Sequence, residues 1–250
     1  MTEPLFLLDD LADPLPIVGA HLTLAGDEGR HAAVVRRIRP GETIMIGNGR
    51  GRGVRVVVVE VRGAGLLVEV VNHLRASNEQ QRFVAAQALA KGDRSELAVE
   101  MMTEMGVSEI VPWQAARSIV RWTTERGARS LVKWRSTARE SAKQSRRLDV
   151  PLVSEPVNTQ QLAQRVASAD LALMLHEEAK ESLADVDLPT SGTVLIIIGP
   201  EGGISVEEHS ELTRAGARPV SISNSVLRTS TAGVVALAGL KLRRDSVNAT

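Results

Sequence analysis

The chain has 250 residues, no net formal charge, 43% hydrophobic and 24% charged residues; that balance is near the globular average and speaks against disorder, and the length suits two domains. There is no cysteine, which excludes a disulfide framework, a cysteine nucleophile, thiolate zinc sites and iron–sulfur clusters. The five aromatic residues, Phe6, Phe83, Trp113, Trp122 and Trp134, are too few for a base-stacking platform.

The opening MTEPLFLLDD is acidic and lacks the basic n-region of a signal peptide. No apolar run reaches about 18 residues, so no membrane span is expected. Residues 1–73 read mostly as strands. The β-branched run 54–61 and the run 66–71 flank Arg62-Gly63-Ala64-Gly65, which predicts a hairpin. One short helix interrupts them, with Asp27 as N-cap and Pro40-Gly41 as the stop. Many short strands with Gly-rich turns suggest a small barrel. The polar stretch 76–81 is a candidate linker.

From Phe83 the pattern alternates. Residues 83–90 read as a strand, 95–105 as a helix ended by Gly106, and Ile110-Val111 as a strand stopped by Pro112. Residues 129–144 form a basic helix. Strands are expected at 171–175, 193–198 and 219–222, and helices at 206–215 and 231–243. Such alternation with short apolar strands argues a mostly parallel sheet covered on both faces.

The zero net charge hides segregation. From Arg30 to Arg62 there are eight Arg against two Glu; from Arg117 to Asp149, ten Lys or Arg against three acids; from Glu155 to Glu211, eleven acids against two bases. One such run reads equally as a solvated helix face. Two Arg-rich stretches point further, to nucleic acid, and Arg suits bidentate phosphate contacts.

Several motifs are discarded. The glycines of 47–53 fail the GxGxxG spacing and precede a strand rather than open a helix, so a hairpin loop is expected, whose Arg50 and Arg52 are candidate RNA-phosphate contacts. No Walker A pair, HExxH or GxSxG is present, and the histidines show no metal spacing.

One region carries a signal. The apolar run 193–198 enters Gly199-Pro200-Glu201-Gly202-Gly203-Ile204-Ser205. Ser205 and Glu208 form a capping-box pattern for the next helix. Glycines at a strand's carboxyl end let backbone approach a ligand. A carboxylate at Glu201 is a costly choice for a plain turn, and it would repel a phosphate ligand. A second stretch, 221–233, runs polar residues into a small-residue helix that Thr229 or Ser230 can cap. Arg228 is harder to assign to packing; at a pocket mouth a guanidinium holds a phosphate or carbonyl oxygen.

The GPEGG turn after an apolar strand, with Leu227-Arg228-Thr229 before a Thr231-Ala232 helix, resembles the SPOUT (trefoil-knot) RNA methyltransferases. More narrowly it is similar to the RsmE family of 16S ribosomal RNA uridine-N3 methyltransferases. Lys91-Gly92-Asp93-Arg94 with Glu104-Met105-Gly106-Val107 resembles that family's K-G-x-R and E-L-G-V. Glu140 to Arg147 resembles its E-A-x-x-Q-x-x-R, and His31 to Arg37 with Pro40-Gly41-Glu42 its N-terminal H-x-x-x-V-L-R and G-D. The resemblance covers nearly the whole chain. One departure stands out: Ser230 replaces the Glu of the usual Arg-x-Glu-Thr-Ala.

The resemblance implies an α/β chain with a PUA-like RNA-binding β-barrel over 1–75 and a C-terminal SPOUT methyltransferase domain with a trefoil knot over 76–250. It implies S-adenosyl-L-methionine as cofactor, bound by three loops. These carry Leu175, His176 and Glu177; Ile198, Gly199, Pro200, Gly202 and Gly203; and Ser223, Leu227, Thr229, Ser230, Thr231 and Ala232. Glu201 and Arg228 are the candidate catalytic residues. Glu201 stands open between base, positioning acceptor and a group that orders the pocket; Arg228 would stabilise charge on a uracil oxygen. RNA contacts are assigned to His31, Arg36, Arg37, Arg50, Arg52, Arg139, Arg146 and Arg147. A cytoplasmic homodimer acting on the 16S RNA of the small ribosomal subunit, without metal or membrane, is expected. Two alternatives remain: a knotted methyltransferase with another RNA target, and a non-catalytic RNA-binding or ribosome-assembly protein, for which the Ser230 departure speaks.

Overall fold

Alternating apolar residues build the first sheet. Val54, Val56 and Val58 on one strand and Leu66, Val68 and Val70 on the next share a buried face with Ile44 and Ile46, the period-two pattern of a half-buried strand. The computed structural model describes residues 3–77 and 80–248. The chain divides into two units, one within Met1–Asn78 and Arg139–Val150, the other within Glu79–Ala138 and Pro151–Thr250. The segment Arg139–Val150, kept with the second domain in the sequence reading, thus clusters with the first unit.

The first unit contains β1 (Leu5–Leu7), β2 (His21–Leu24), α1 (Gly26–Arg30), β3 (Thr43–Gly47), β4 (Arg52–Arg62) and β5 (Gly65–Arg75). The strands pair in the order β1-β3-β4-β5-β2. The expected hairpin is β4–β5, antiparallel from Arg62↔Gly65. The loop between β3 and β4 is the second hairpin, closing at Gly47↔Gly53. α1 differs from expectation at both ends. Ala25 is its N-cap, and Asp27 sits in the first turn, where a carboxylate meets the positive helix end. It continues as a π-helical turn over His31–Val35 and stops at Arg37, whose φ is 53°, before Pro40 is reached.

The second unit contains β6 (Gln81–Ala88), α2 (Arg94–Glu104), β7 (Glu109–Trp113), α3 (Thr124–Gln144, whose last turns belong to the first unit), β8 (Leu152–Val153), α4 (Thr159–Ser168), β9 (Leu171–Leu175), β10 (Gly192–Ile198), α5 (Val206–Arg214), β11 (Arg218–Val220) and α6 (Thr229–Asn248). Gln81, placed in the linker by the sequence reading, opens β6; residues 78 and 79 lie outside the described residues. Six parallel strands run in the order β11-β9-β10-β6-β7-β8. Such a sheet is covered on both faces, which explains the unbroken apolar run in β10. Leu195 and Ile197 face a core containing Leu162 of α4 and Leu212 of α5. On α6, Gly233 lies against Ile198 and Met102 of α2.

Pro112 does not end β7 but lies within it, opposite Gln87. A strand proline removes one ladder donor. It is tolerated because the partner β8 has already ended at Val153, and the Pro112 carbonyl still accepts from Val157 N at 2.9 Å. α4 was missed. Its signal was Asn158 with Gln161 three residues on, a full capping box in the structure.

The strand order reverses direction between β6 and β10. The chain runs outward from β6 through β7 to β8, then returns to place β9, β10 and β11 on the other side. In such sheets ligands bind beyond the carboxyl ends at this switch point.

Candidate active site

A cavity of about 580 Å³ opens at that point, within the usual range for small-molecule sites. Its walls come from the chain after β9 (Leu175, His176, Glu177, Glu178), after β10 (Ile198 to Ile204), after β11 (Ile222, Ser223, Ser225) and from Val226 to the first turn of α6. Arg94 and Arg117 complete it.

The loop after β10 is held from several sides. Ser205 caps α5, accepting from Glu208 N at 3.2 Å, while Glu208 Oε2 accepts from Ser205 N at 3.2 Å. The capping box predicted from sequence is therefore present. Glu208 is buried, and its Oε1 also accepts from Ala116 N at 2.7 Å and Thr159 Oγ1 at 2.8 Å. A buried carboxylate needs such donors, and these fix the loop that carries Arg117. Arg117 Nη1 donates to the Gly202 carbonyl at 3.3 Å. Nearby, the exposed Glu207 carboxyl is held below its ordinary range, first by its own backbone N–H, then by the Ser205 hydroxyl and the charge of Arg117.

Glu201 Oε1 accepts from Lys91 N at 3.2 Å and Arg94 Nη1 at 3.3 Å. The carboxylate thereby ties the GPEGG turn to the segment after β6. Gln87, fully buried at the end of β6, donates through Nε2 to Thr229 Oγ1 at 2.9 Å. Thr229 Oγ1 donates in turn to the Gly199 carbonyl. Thr229 was expected as a possible helix cap; its hydroxyl instead joins α6 to the cavity loop. Arg228 lines the cavity, exposed, and among the described residues its guanidinium has no carboxylate partner. His176 Nδ1 accepts from Glu178 N at 3.2 Å, and its ring stands edge-on to His209, centroids 5.3 Å apart.

Of the residues assigned to cofactor binding and catalysis, the cavity brings together all but two. Ser230 and Thr231 lie outside its lining. Sequence reading missed Arg94 and Arg117 as wall residues. Arg94 stood in the quoted Lys91-Gly92-Asp93-Arg94; Arg117 carried no signal beyond opening a basic run.

The eight residues assigned to RNA all fall in the first unit. They are not equivalent. Arg139 Nη1 pairs with Asp9 at 2.8 Å, and Arg147 with Asp149 at 2.6 Å. Arg52 pairs with Asp13, and Arg50 Nη2 donates to the Asp9 carbonyl at 3.2 Å. His31, Arg36 and Arg146 line a second, smaller cavity, while Arg37 is exposed beside it in sequence.

An RNA methyltransferase domain model matches residues 77–241, and an RNA methyltransferase PUA domain model matches residues 24–71. The ribosomal RNA small subunit methyltransferase E of Mycobacterium bovis is 42% identical over 229 residues, covering 90% of this chain and 87% of that one. The chain belongs to the ribosomal RNA small subunit methyltransferase E family. The Bacillus subtilis member is 28% identical, covering 89% of this chain and 90% of its own. A Neisseria gonorrhoeae member, solved bound to S-adenosyl methionine, superposes with a TM-score of 0.85 at 26% identity, covering 97% of this chain and 98% of that one. A Legionella pneumophila methyltransferase, solved with its bound cofactor SAM, gives 0.79 at 30% identity, covering 90% of this chain and 93% of that one.

Ser230 stands where the resemblance leads one to expect a Glu. It is 4% exposed and outside the cavity lining.

Proposed function

We propose that this protein transfers a methyl group from S-adenosylmethionine to 16S ribosomal RNA of the small subunit, at N3 of a uridine. The observation that carries the reading is the cavity at the switch point, with backbone-rich loops on three sides and on its wall Arg228, without a carboxylate partner among the described residues.

The cavity fits the cofactor. Ile198, Ile222, Leu227 and Ala232 supply apolar wall for an adenine, and Glu177 and Glu178 supply acceptors for hydroxyl or ammonium groups. Gly199 keeps the loop close, since a Cβ there would stand 2.9 Å from Ile204 Cγ1. When bound, S-adenosylmethionine supplies an electrophilic methyl group on sulfur.

Uridine N3 is protonated at neutral pH and lies on the Watson–Crick edge, so the target base must be unpaired or extruded. Arg228 stabilises the negative charge that develops on a uracil oxygen as N3 loses its proton to water. Glu201 orders the pocket: its Oε1 already accepts from Lys91 N and Arg94, which favours that role over base. Residues of the first unit hold RNA phosphates.

The reading includes a knotted C-terminal domain. Leu183 N donates to the Ser221 carbonyl at 2.8 Å, and Arg243 Nη1 of α6 donates to the Leu183 carbonyl at 2.8 Å. These bonds tie the segment between β9 and β10 to the chain after β11 and to α6, which supports that reading. It also includes a homodimer, for which Leu97, Val226, Val235 and Leu242 offer exposed apolar surface. A cytoplasmic site follows from the substrate. Metal plays no part in the proposal, and among the described residues no group of three or more His, Asp or Glu is placed to hold one.

The test is transfer of labelled methyl from S-adenosylmethionine to unmodified small subunits, with free 16S RNA in parallel, and identification of the labelled nucleoside. N3-methyluridine is expected. Another methylated nucleoside would move the target elsewhere; neither transfer nor donor binding would leave a non-catalytic RNA-binding protein.

A further inference from the structure

The second cavity, about 150 Å³, lies wholly within the first unit. Its polar wall is His31, Arg36, Glu140, Lys143, Gln144 and Arg146, against Phe6. The His31 ring stands edge-on to Phe6, centroids 6.1 Å apart.

Two helices stop beside this cavity, with different hydrogen bonds but each with one left-handed residue. At the end of the π-helical turn, Arg36 N donates to the His31 carbonyl at 2.8 Å and Ile38 N to the Ala32 carbonyl at 3.1 Å. At the end of α3, Arg146 N donates to the Lys143 carbonyl at 3.1 Å and Arg147 N to the Ala142 carbonyl at 2.8 Å. Each stop puts one residue in the left-handed region, a place that normally goes to glycine. Here they are Arg37, φ 53°, and Arg146, φ 58°. Among the described residues no other non-glycine residue has positive φ. The helix end gains nothing from a strained arginine that Lys143, one turn earlier, does not already give its dipole. At Arg146, which lines the cavity, strain kept in this way points to a function for the side chain.

The charges divide accordingly. Lys143 is 9% exposed and held by Glu28 at 2.7 Å and Glu140 at 3.2 Å. Arg52, Arg139 and Arg147 are paired with the carboxylates of Asp13, Asp9 and Asp149, and Arg50 donates to the Asp9 backbone carbonyl. Among the described residues Arg36 and Arg146 have no carboxylate partner, and both are exposed at the cavity. With Glu28 and Glu140 set against Lys143, Arg36 and Arg146, the group keeps one positive charge, the complement of a single phosphodiester.

We propose that this cavity is a discrete binding site for one phosphodiester of the RNA substrate. Arg36 and Arg146 hold the phosphate oxygens, His31 and Gln144 provide neighbouring hydrogen bonds, and Arg50, Arg52, Arg139 and Arg147 hold the unit together rather than the RNA. The inference rests on the RNA substrate proposed above and assigns it a fixed anchor in place of a diffuse basic surface.

The test uses the full chain and unmodified small-subunit ribosomal RNA transcribed in vitro. Affinity is measured across a salt series for the parent, Arg146→Gly and Arg36→Ala, together with melting temperature and donor affinity. Arg146→Gly relieves the left-handed strain, so its melting temperature should equal or exceed the parent's. Its RNA affinity should fall about tenfold, and the slope of log affinity against log salt should become shallower by about one. Arg36→Ala should show the same loss and slope. Unchanged RNA affinity and slope in both variants, with the parent still methylating RNA, would overturn the anchor and leave the enzyme reading intact. A parent that neither binds nor methylates RNA would overturn both. Tight inorganic phosphate binding lost in Arg146→Gly, with RNA affinity unchanged, would make this a free-anion site and overturn the RNA assignment.

Discussion

The hydroxyl of Thr229, the first residue of α6, donates to the carbonyl oxygen of Gly199 across 2.8 Å. The Thr229 hydroxyl oxygen itself accepts from Nε2 of the fully buried Gln87 at 2.9 Å. Three segments distant in sequence, the end of β6, the turn after β10 and the start of α6, therefore meet at one hydroxyl beneath the cavity. A helix cap alone would need no such partners.

Thr229→Val keeps the shape and removes the hydroxyl. Gln87 Nε2 loses one of its two acceptors, the other being the Ala88 carbonyl at 3.1 Å. Losing a buried partner costs roughly 1–3 kcal/mol. Methyl-donor affinity, measured by calorimetry, should fall about tenfold, and Thr229→Ser should recover most of it. Equal affinity in Thr229→Val would show that the link does not shape the pocket.

Gly29 packs the end of α1 under the hairpin. A Cβ there would overlap the Leu24 carbonyl oxygen and stand 3.3 Å from the Ala64 carbonyl oxygen. Backbone cannot move aside as a side chain can. Gly29→Ala should destabilise the first unit by roughly 1–3 kcal/mol, seen as a lower denaturation midpoint. A midpoint equal to the parent's would mean that α1 shifts freely.

What was legible in the sequence follows from locality. The apolar run of β10 and the Ser205–Glu208 box depend on neighbouring residues, and both are present. The π-helical turn was not legible, because its Arg36-to-His31 bond spans five residues and the helical period is 3.6. Gly127 hid the first turns of α3, since a helix-interior glycine reads as a break; here it packs against Trp122, whose Cβ would be 3.0 Å from an added Cβ. Arg117 meets the cavity loop at Gly202, 85 residues away, a pairing that no window of sequence contains.

Glu201→Gln separates the two roles open to that side chain. The amide keeps an oxygen acceptor for Lys91 N but loses the charge facing Arg94. If Glu201 orders the pocket, donor affinity falls several-fold and turnover at saturating donor stays within about fivefold of the parent, because no proton transfer depends on it. General-base catalysis typically contributes about 10²–10⁴-fold. A loss of that size in saturated turnover, with donor affinity intact, would return Glu201 to the role of base.

Arg228 should behave in the opposite way. It lines the cavity without a carboxylate partner among the described residues, so its charge is available to the reacting base rather than spent on the fold. Arg228→Ala should leave melting temperature and donor affinity close to the parent's. Turnover at saturating donor and RNA should fall about 10²–10³-fold, the usual effect of removing one preorganised donor to a developing oxyanion. Arg228→Lys, which keeps the charge without the planar fork, should recover part of the rate. If donor affinity collapses in Arg228→Ala while saturated turnover stays normal, the guanidinium holds the methyl donor and not the uracil oxygen, and the charge that develops on the base must be met by another group on the wall, for which Arg94 and Arg117 are the cations in place.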